Sequence, residues 1–244
     1  MIGRYVLAAL AAGLIAGAVL TGVQVWRLSP LIAAAEVYEK ADDAAKAAAS
    51  GVAAPACKES MPGMKMCPDD GAREWEPAPG LPRLGFTGAA SLLAGGGFAL
   101  LLAGLSLLLN VPITRANGWA WGMAGFLSVH VATGLGLAPE VPGMPVTDLA
   151  ARQIWWAGTI IATGAAIYCF AIRHEPWAKA VGLALLLIPH IIGAPHAPDG
   201  ATTVPPALAA EFAANAIAAA AVFWLVMGWL LGRFLPPIAE KFDQ

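Results

Sequence analysis

Six stretches of this 244-residue chain contain no Asp, Glu, Lys or Arg, and this absence of charge constrains the fold more than any other feature. A helix needs about 20 consecutive apolar residues to cross a bilayer, and most of the stretches reach that length. Only 12% of the residues are charged, whereas about a quarter of a soluble domain is charged. The sequence predicts an all-α, polytopic integral membrane bundle of about six transmembrane helices. The stretches cover residues 5–26, 84–114, 116–139, 153–172, 180–192 and 212–232.

The charged residues are concentrated in one segment of the chain. Seven of the 14 Lys and Arg and nine of the 16 Asp and Glu lie between Arg27 and Arg83. Within that segment, residues 31–50 are rich in alanine and predict a solvated helix that continues outward from the first span. The fifth span is the shortest, and we expect it to end early, at Pro189, because proline breaks the helical hydrogen-bond ladder. We predict a first transmembrane helix over 1–26, an outward-facing loop over 27–83, a five-helix bundle over 84–234 and a tail over 235–244.

Basic residues favour one side of the predicted bundle. The two short loops on the opposite side contain only Arg152. Short cytoplasmic loops carry an excess of Lys and Arg, so both termini are predicted to be cytoplasmic and loop 27–83 periplasmic, in a bacterial inner membrane. The net charge of −2 gives no electrostatic reason to expect nucleic acid as a partner. The basic residues of the favoured side are Arg4, Arg115, Arg173, Lys179, Arg233 and Lys241.

Histidines stand at two places where imidazole could bind a metal ion. His190 and His196 flank a Gly-Ala-Pro turn at the outward end of the fifth span, and imidazole is a general ligand for Co, Ni, Cu and Zn. The alternative is a hydrogen-bonded pair that stabilises a tight turn. His130 lies inside the third span, where ionisable groups often mark an ion pathway. Its alternative is a neutral ring bonded to a neighbouring helix.

A sulfur-rich cluster lies in the predicted outer loop. Thioether and thiolate ligands select soft ions such as Cu(I), which favours metal capture. The two cysteines would face an oxidising compartment and could form a disulfide instead, with the methionines on the closed loop. Both interpretations are open on the sequence alone. The cluster comprises Cys57, Met61, Met64, Met66 and Cys67.

Two outward loops share a pattern at an offset of 50 residues. Pro139, Gly143 and Pro145 align with Pro189, Gly193 and Pro195. The pattern suggests three repeated helical hairpins, each turning at an outward Gly-x-Pro, an arrangement of the kind found in transporters. The alignment would make Glu140 equivalent to His190. A separate match a little further on, of Leu149–Arg152 with Leu208–Glu211, would make Arg152 equivalent to Glu211, and these opposite charges could pair.

Several segments of the chain form a specific combination: the Met1-Ile2-Gly3-Arg4 opening, Arg152–Trp156, the Pro-His-x-x-Gly-Ala-Pro-His run of 189–196, and Leu208–Phe212 leading to Phe223-Trp224. Together they resemble the CbtA family of predicted cobalt transporter subunits. The resemblance implies cobalt uptake across the inner membrane linked to vitamin B12 supply. It also implies a partner, CbtB, a small single-helix membrane subunit with a histidine-bearing end. The chain has Met and Cys where many relatives have histidine-rich acidic stretches, which leaves Cu as the alternative to Co(II).

We therefore predict a membrane transport subunit for a transition-metal ion, most consistent with Co(II). The chain contains no HExxH motif and no P-loop, so we predict no enzymatic activity and no nucleotide-driven step. Two alternatives are open: a copper-handling protein that uses the sulfur cluster, and a non-transporting scaffold subunit with no polar path and with His130 bonded to backbone. The transport hypothesis predicts an outward cavity lined by His130 and His190. Membrane lipid and other copies of the chain are further expected partners. The predicted metal ligands are His190, His196, His130, Glu140 and Glu211.

Overall fold

The structure is a computed structural model that describes residues 2–50, 58–61, 64–66, 77–145, 147–197 and 202–236. Helices make up most of the described chain, which confirms the all-α membrane bundle. Each of the six predicted apolar stretches contains a helix. Cys57 and Cys67 lie outside the described residues, so the disulfide and the complete sulfur cluster stay predictions.

The first helix, α1, covers Ile2–Val23 and continues through a π-helical turn, Gln24–Leu28, into α2, Ser29–Ser50. A short antiparallel hairpin follows, with strand β1 at Lys58–Met61 and β2 at Met64–Met66. Helix α3 covers Leu81–Leu108. Helix α4, Gly118–Phe126, runs through a second π-helical turn, Leu127–Val131, into α5, Ala132–Gly134. The last three helices are α6, Leu149–Ala171, α7, Pro176–Ile192, and α8, Pro206–Phe234.

Four of these helices are long and apolar enough to cross a membrane. They are the 45-residue helix Ile2–Lys46 and the helices α3, α6 and α8. Helix α7 is apolar but has only 17 residues. The helical segment from α4 to α5 is of similar length. The count of six spans therefore depends on these two shorter segments.

Two helix boundaries differ from those that hydropathy indicated. The first helix does not stop at residue 26 but runs on as α2, as the alanine-rich composition predicted. The prediction that the fifth span ends at Pro189 is wrong, because Pro189 lies inside α7. Proline has no backbone N–H and therefore removes one helical hydrogen bond. Because Pro189 lies in the last turn of α7, the missing bond interrupts little of the helix. The helix ends instead at Gly193, whose φ of 85° suits glycine.

Close backbone contact between glycines joins α1 to α3. A Cβ atom added at Gly13 would collide with the carbonyl oxygen of Gly95. One added at Gly17 would collide with the carbonyl of Ser91. Small residues at four-residue spacing let membrane helices approach this closely, because van der Waals contact replaces the hydrophobic drive that lipid removes. Two side-chain hydrogen bonds support this crossing: the Tyr5 and Ser106 hydroxyls lie 3.1 Å apart, and Ser91 donates to Gln24, in the π-helical turn after α1, at 2.8 Å.

A second glycine crossing joins α4 to α8. Gly118 and Gly122 on α4 meet Gly228 and Gly232 on α8, and added Cβ atoms at these positions would collide with the facing backbone. The indole of Trp224, 1% exposed, fills the space beside Gly125. This crossing places the middle of α8 against the π-helical turn that contains His130.

The helix pairing differs from three simple hairpins. Helix α7 packs on α6, whereas α8 packs on α4 and α1 rather than on α7. The fifth and sixth helices of the predicted repeat therefore do not form a packed pair. The Gly-x-Pro similarity stays a feature of the sequence, with Gly143 and Gly193 both at positive φ.

One end of the bundle, which we call the loop face, consists of α2 and the described loop residues 135–145, 147–148, 193–197 and 202–205. Ala35, Val141 and Val204 are buried there and form a second small core. Helix α2 is thus packed on one side, whereas the sequence predicted it to be solvated. An ion pair between Glu36 and Arg83 joins α2 to the start of α3. The loop face therefore has a packed core of its own, and this core can hold the side chains of a site in place.

We predict that Gly95→Ala destabilises the protein by about 1–3 kcal/mol, because its Cβ overpacks the contact with Gly13. Thermal unfolding of the detergent-purified protein measures this. Gly97→Ala is the matched control, since Gly97 lies on the same helix with open space around it and alanine gains about 1 kcal/mol in helix propensity. Equal melting temperatures for the two variants would contradict the crossing.

Candidate metal-ion pathway

Glu140 is held in place at the loop face by Arg152. It lies where the helical segment ending at α5 has unwound, and Arg152 lies in the first turn of α6. Arg152 Nη1 donates to Glu140 Oε2 at 2.9 Å, and each side chain is about one quarter exposed, at 25% and 26%. The predicted partner of Arg152 was Glu211, and this is wrong: the guanidinium reaches back to the loop that precedes its own helix. The Asp148 carboxylate caps α6 by accepting from the Ala151 N–H at 2.8 Å.

Two clefts meet at Glu140. The first, which we call the loop cleft, has a volume of about 520 Å³ and is lined by Glu140, Met144 and His196 among smaller residues. The second, the helix cleft, has a volume of about 400 Å³ and is lined by Glu140, His130 and Arg152, together with Thr133. Glu140 and the three residues before it line both clefts. Glu140 is therefore the acidic residue common to the two clefts.

One ring nitrogen of His196 is hydrogen-bonded to the backbone. Its Nδ1 lies 2.6 Å from the carbonyl oxygen of Ala194. A carbonyl only accepts hydrogen bonds, so Nδ1 carries the proton and Nε2 keeps its lone pair. Histidine ligands in proteins commonly show this arrangement, in which a second hydrogen bond fixes the tautomer. The bond also stabilises the turn, which is what the alternative to metal binding predicted for His196. The same bond leaves Nε2 available to a metal ion.

His130 lies in the π-helical turn Leu127–Val131, and such turns occur frequently at functional sites. The indole Nε1 of Trp224 donates to His130 Nδ1 at 3.0 Å. The ring also stacks on Phe126, with centroids 6.4 Å apart. The scaffold hypothesis predicted a bond to backbone in a dry interface, whereas this partner is a side chain and the ring lines the helix cleft.

His190 and Glu211 lie apart from the two clefts. His190 is exposed and packs edge-to-face on Trp155, with centroids 6.0 Å apart. The Trp155 indole donates to the Pro189 carbonyl at 3.0 Å, which holds the end of α7 against α6. Glu211 is exposed in the early turns of α8. A cavity shared by His130 and His190 was predicted, but neither of the two clefts is lined by His190, and the histidine of the loop cleft is His196.

Protein ligands are sparse in the described part of the chain. No group of three or more His, Cys, Asp or Glu there could hold a metal ion together. Each cleft offers Glu140 with one histidine, so water or backbone carbonyls would have to complete the coordination of an ion. Met61 and Met64 are cross-strand partners in the β1–β2 hairpin, and Met66 lies opposite Lys58.

Sequence reasoning missed two residues that shape this region. The sequence suggested only Glu211 as an ion-pair partner for Arg152, whereas the structure pairs it with Glu140. Trp224 was noted only as part of a family motif, although a tryptophan far from both helix ends is itself unusual because its N–H needs a partner. No sequence signal indicates the π-helical turn that brings His130 to it.

A family model described as "Probable cobalt transporter subunit (CbtA)" matches residues 2–236, which is nearly the whole chain. No curated protein matches the chain, and no solved structure matches it.

We predict that Glu140 and Arg152 are energetically coupled by about 1 kcal/mol, as partly buried ion pairs in contact commonly are. The measurement is a double-mutant cycle of Glu140→Gln and Arg152→Gln, read from the free energy of unfolding in detergent. The double variant should be more stable than the sum of the single losses indicates. Strictly additive losses would show that the pair does not stabilise the loop.

Proposed function

The chain belongs to the family of probable cobalt transporter subunits, and on that premise we propose that it conducts Co(II) through the bacterial inner membrane toward the cytoplasm. We propose further that the cobalt serves vitamin B12 supply. A subunit acts with at least one other chain, and we propose a CbtB-like single-helix protein as that partner. The family assignment gives no indication of an enzymatic reaction.

The observation that carries this proposal is the position of Glu140 on both clefts. An ion bound with His196 in the loop cleft could remain on the same carboxylate as it passes toward His130. Carboxylate and imidazole are ligands that suit Co(II). Few protein ligands are an advantage for a moving ion, because conduction requires binding that is weak enough to be reversed.

Arg152 acts in this proposal as a tethered cation. Its guanidinium neutralises Glu140 when no ion is bound, through a single hydrogen bond to Oε2. An arriving metal ion competes with that bond and takes the carboxylate oxygens. An unpaired carboxylate in a partly buried loop would be costly, so the exchange of one cation for another keeps the charge compensated throughout.

We place the loop face in the periplasm because the basic residues of the short loops lie at the other end. The large exposed indoles support a membrane-embedded bundle, since tryptophan prefers the headgroup layer. Trp26 is 73% exposed and Trp229 is 64% exposed. In this orientation the loop cleft opens toward the side from which ions would be taken up.

Copper handling is the second candidate function. The β1–β2 hairpin places Met61 and Met64 at cross-strand positions, and thioethers prefer Cu(I). This candidate predicts that metal binding depends on the methionines and is independent of Glu140. The same binding experiment separates the two.

We predict that Glu140→Gln and His196→Ala each weaken Co(II) binding by about tenfold or more, because each removes a ligand or its fixed geometry. Arg152→Gln should strengthen binding, since the tethered competitor is lost. Isothermal titration with Co(II) and metal content by mass spectrometry measure these changes.

His174→Ala is the matched control, because His174 is exposed in the loop between α6 and α7 and lines neither cleft. The affinity of the His174→Ala variant for Co(II) should equal that of the wild type. Equal affinities for wild type, Glu140→Gln and His196→Ala would refute the proposed path. Loss of binding only when Met61, Met64 and Met66 are replaced would favour the copper candidate.

We predict that a cysteine at Lys40 is labelled by a membrane-impermeant maleimide on intact cells, since Lys40 is exposed on α2 at the loop face. A cysteine at His174 should be labelled only after the inner membrane is permeabilised. The background for both is a variant with Cys57, Cys67 and Cys169 replaced by serine. The reverse labelling pattern would invert the proposed orientation.

A further inference from the structure

Trp224 and His130 form an interhelical hydrogen bond whose direction is fixed by chemistry. The indole nitrogen carries a hydrogen and has no lone pair to accept with, so it can only donate. The acceptor is His130 Nδ1, at 3.0 Å. A ring nitrogen that accepts a hydrogen bond carries no proton. The proton of the neutral His130 ring is therefore on Nε2.

This tautomer has a consequence for metal binding. A neutral imidazole binds a metal ion through the nitrogen that has a lone pair, and on His130 that lone pair is directed at Trp224. The other nitrogen presents an N–H, the positive end of a bond dipole, which disfavours a cation. His196 is in the opposite state, with Nδ1 donating to a carbonyl and Nε2 unprotonated. Of the two histidines on the proposed path, His196 has a lone pair free to bind a metal ion, whereas the lone pair of His130 is already engaged by Trp224.

We propose that Trp224 is a positioning residue that holds His130 in the Nε2–H tautomer, so that His130 binds a metal ion only after this hydrogen bond breaks. The consequence for ions rests on the proposed function, whereas the tautomer does not. In this state Glu140 and His196 can accept an ion while His130 cannot. Ion entry and ion passage into the helix cleft are therefore separate steps.

The surroundings of Trp224 make the hydrogen bond persistent. The side chain is 1% exposed and packs on Phe98 and Phe223, with ring centroids 5.0 and 5.4 Å apart. It also fills the space left by the absent side chain of Gly125. The indole therefore cannot turn away freely, and release requires movement of α8 against α4 or of the π-helical turn.

The switch of His130 to a metal-binding form is balanced in protons. The Nε2 proton leaves to water in the helix cleft, and Nδ1 takes a proton from water once the indole N–H has moved away. The ring is neutral before and after, and no electrons are transferred. The lone pair then lies on Nε2, where a metal ion can bind.

The tautomer is measured directly by nitrogen NMR of the metal-free full-length protein with labelled histidine. The His130 signals are identified as those missing from His130→Asn. We expect an unprotonated Nδ1 and a protonated Nε2 in the wild type. Trp224→Phe keeps an aromatic ring but removes the donor, and it should shift His130 toward the other tautomer or a mixture. Trp121→Phe, a substitution of the same size on α4, should leave the His130 signals unchanged.

Cobalt titration tests the second half of the proposal. Trp224→Phe should bind Co(II) about tenfold more tightly than the wild type, the effect of freeing one ligand, and His130→Ala in that background should remove the gain. In the wild-type background, His130→Ala should leave the first binding step unchanged. A protonated Nδ1 in the wild type would overturn the proposal even if cobalt is transported. An unchanged affinity in Trp224→Phe with an altered tautomer would overturn the role in metal binding.

These results separate the proposal from the function on which it rests. If no variant binds Co(II) but His130 has the expected tautomer, the proposed function fails and the positioning role of Trp224 stands. If Trp224→Phe does not fold, the wild-type spectrum alone still decides the tautomer.

Discussion

Backbone contact at glycines is the constraint on which this bundle depends. Lipid chains are as apolar as leucine, so helices in a bilayer gain little by hiding apolar side chains from one another. Gly13 and Gly95 bring α1 against α3, and Gly122 and Gly228 bring α4 against α8. The second crossing also sets the chemistry, because it delivers Trp224 of α8 to the turn that contains His130. A loss of close packing there would change both stability and the state of a proposed ion ligand.

The loop face gives the end of the helix bundle a packed structure of its own. Its small core around Ala35 and Val204, with the Glu36–Arg83 ion pair, holds α2 and two loops together. Loop backbone at membrane ends is tolerated where it is buried in protein or lines a cavity. Glu140 occupies such a position, with its charge compensated by Arg152 and a cleft on either side. The arrangement suits a site that must hold a cation briefly and then release it.

The sequence was sufficient for the membrane class and the approximate helices, because uncharged runs of spanning length have few other physical explanations. The end of α7 was misplaced, since proline in a last turn costs too little to stop a helix. The pairing of Arg152 was misassigned because a repeat pattern cannot show which loop folds back on which helix. The link between Trp224 and His130 joins residues 94 positions apart, and it depends on a π-helical turn that leaves no pattern in the sequence. His130 was correctly predicted to line a cleft, and its bond to a neighbouring helix was one of the stated alternatives, but the sequence did not identify Trp224 as the donor. The role of Glu140 as a metal ligand stays a prediction.

The proposed pathway depends on Glu140, the acidic residue common to both clefts. X-ray absorption at the cobalt edge tests this most directly, on full-length protein loaded with one equivalent of Co(II), wild type against Glu140→Gln. We predict a first coordination shell of oxygen and nitrogen in the wild type, consistent with a carboxylate, an imidazole and water. In Glu140→Gln the bound cobalt should be lost or its shell changed. A sulfur shell in the wild type, or identical spectra for the two proteins, would contradict the account.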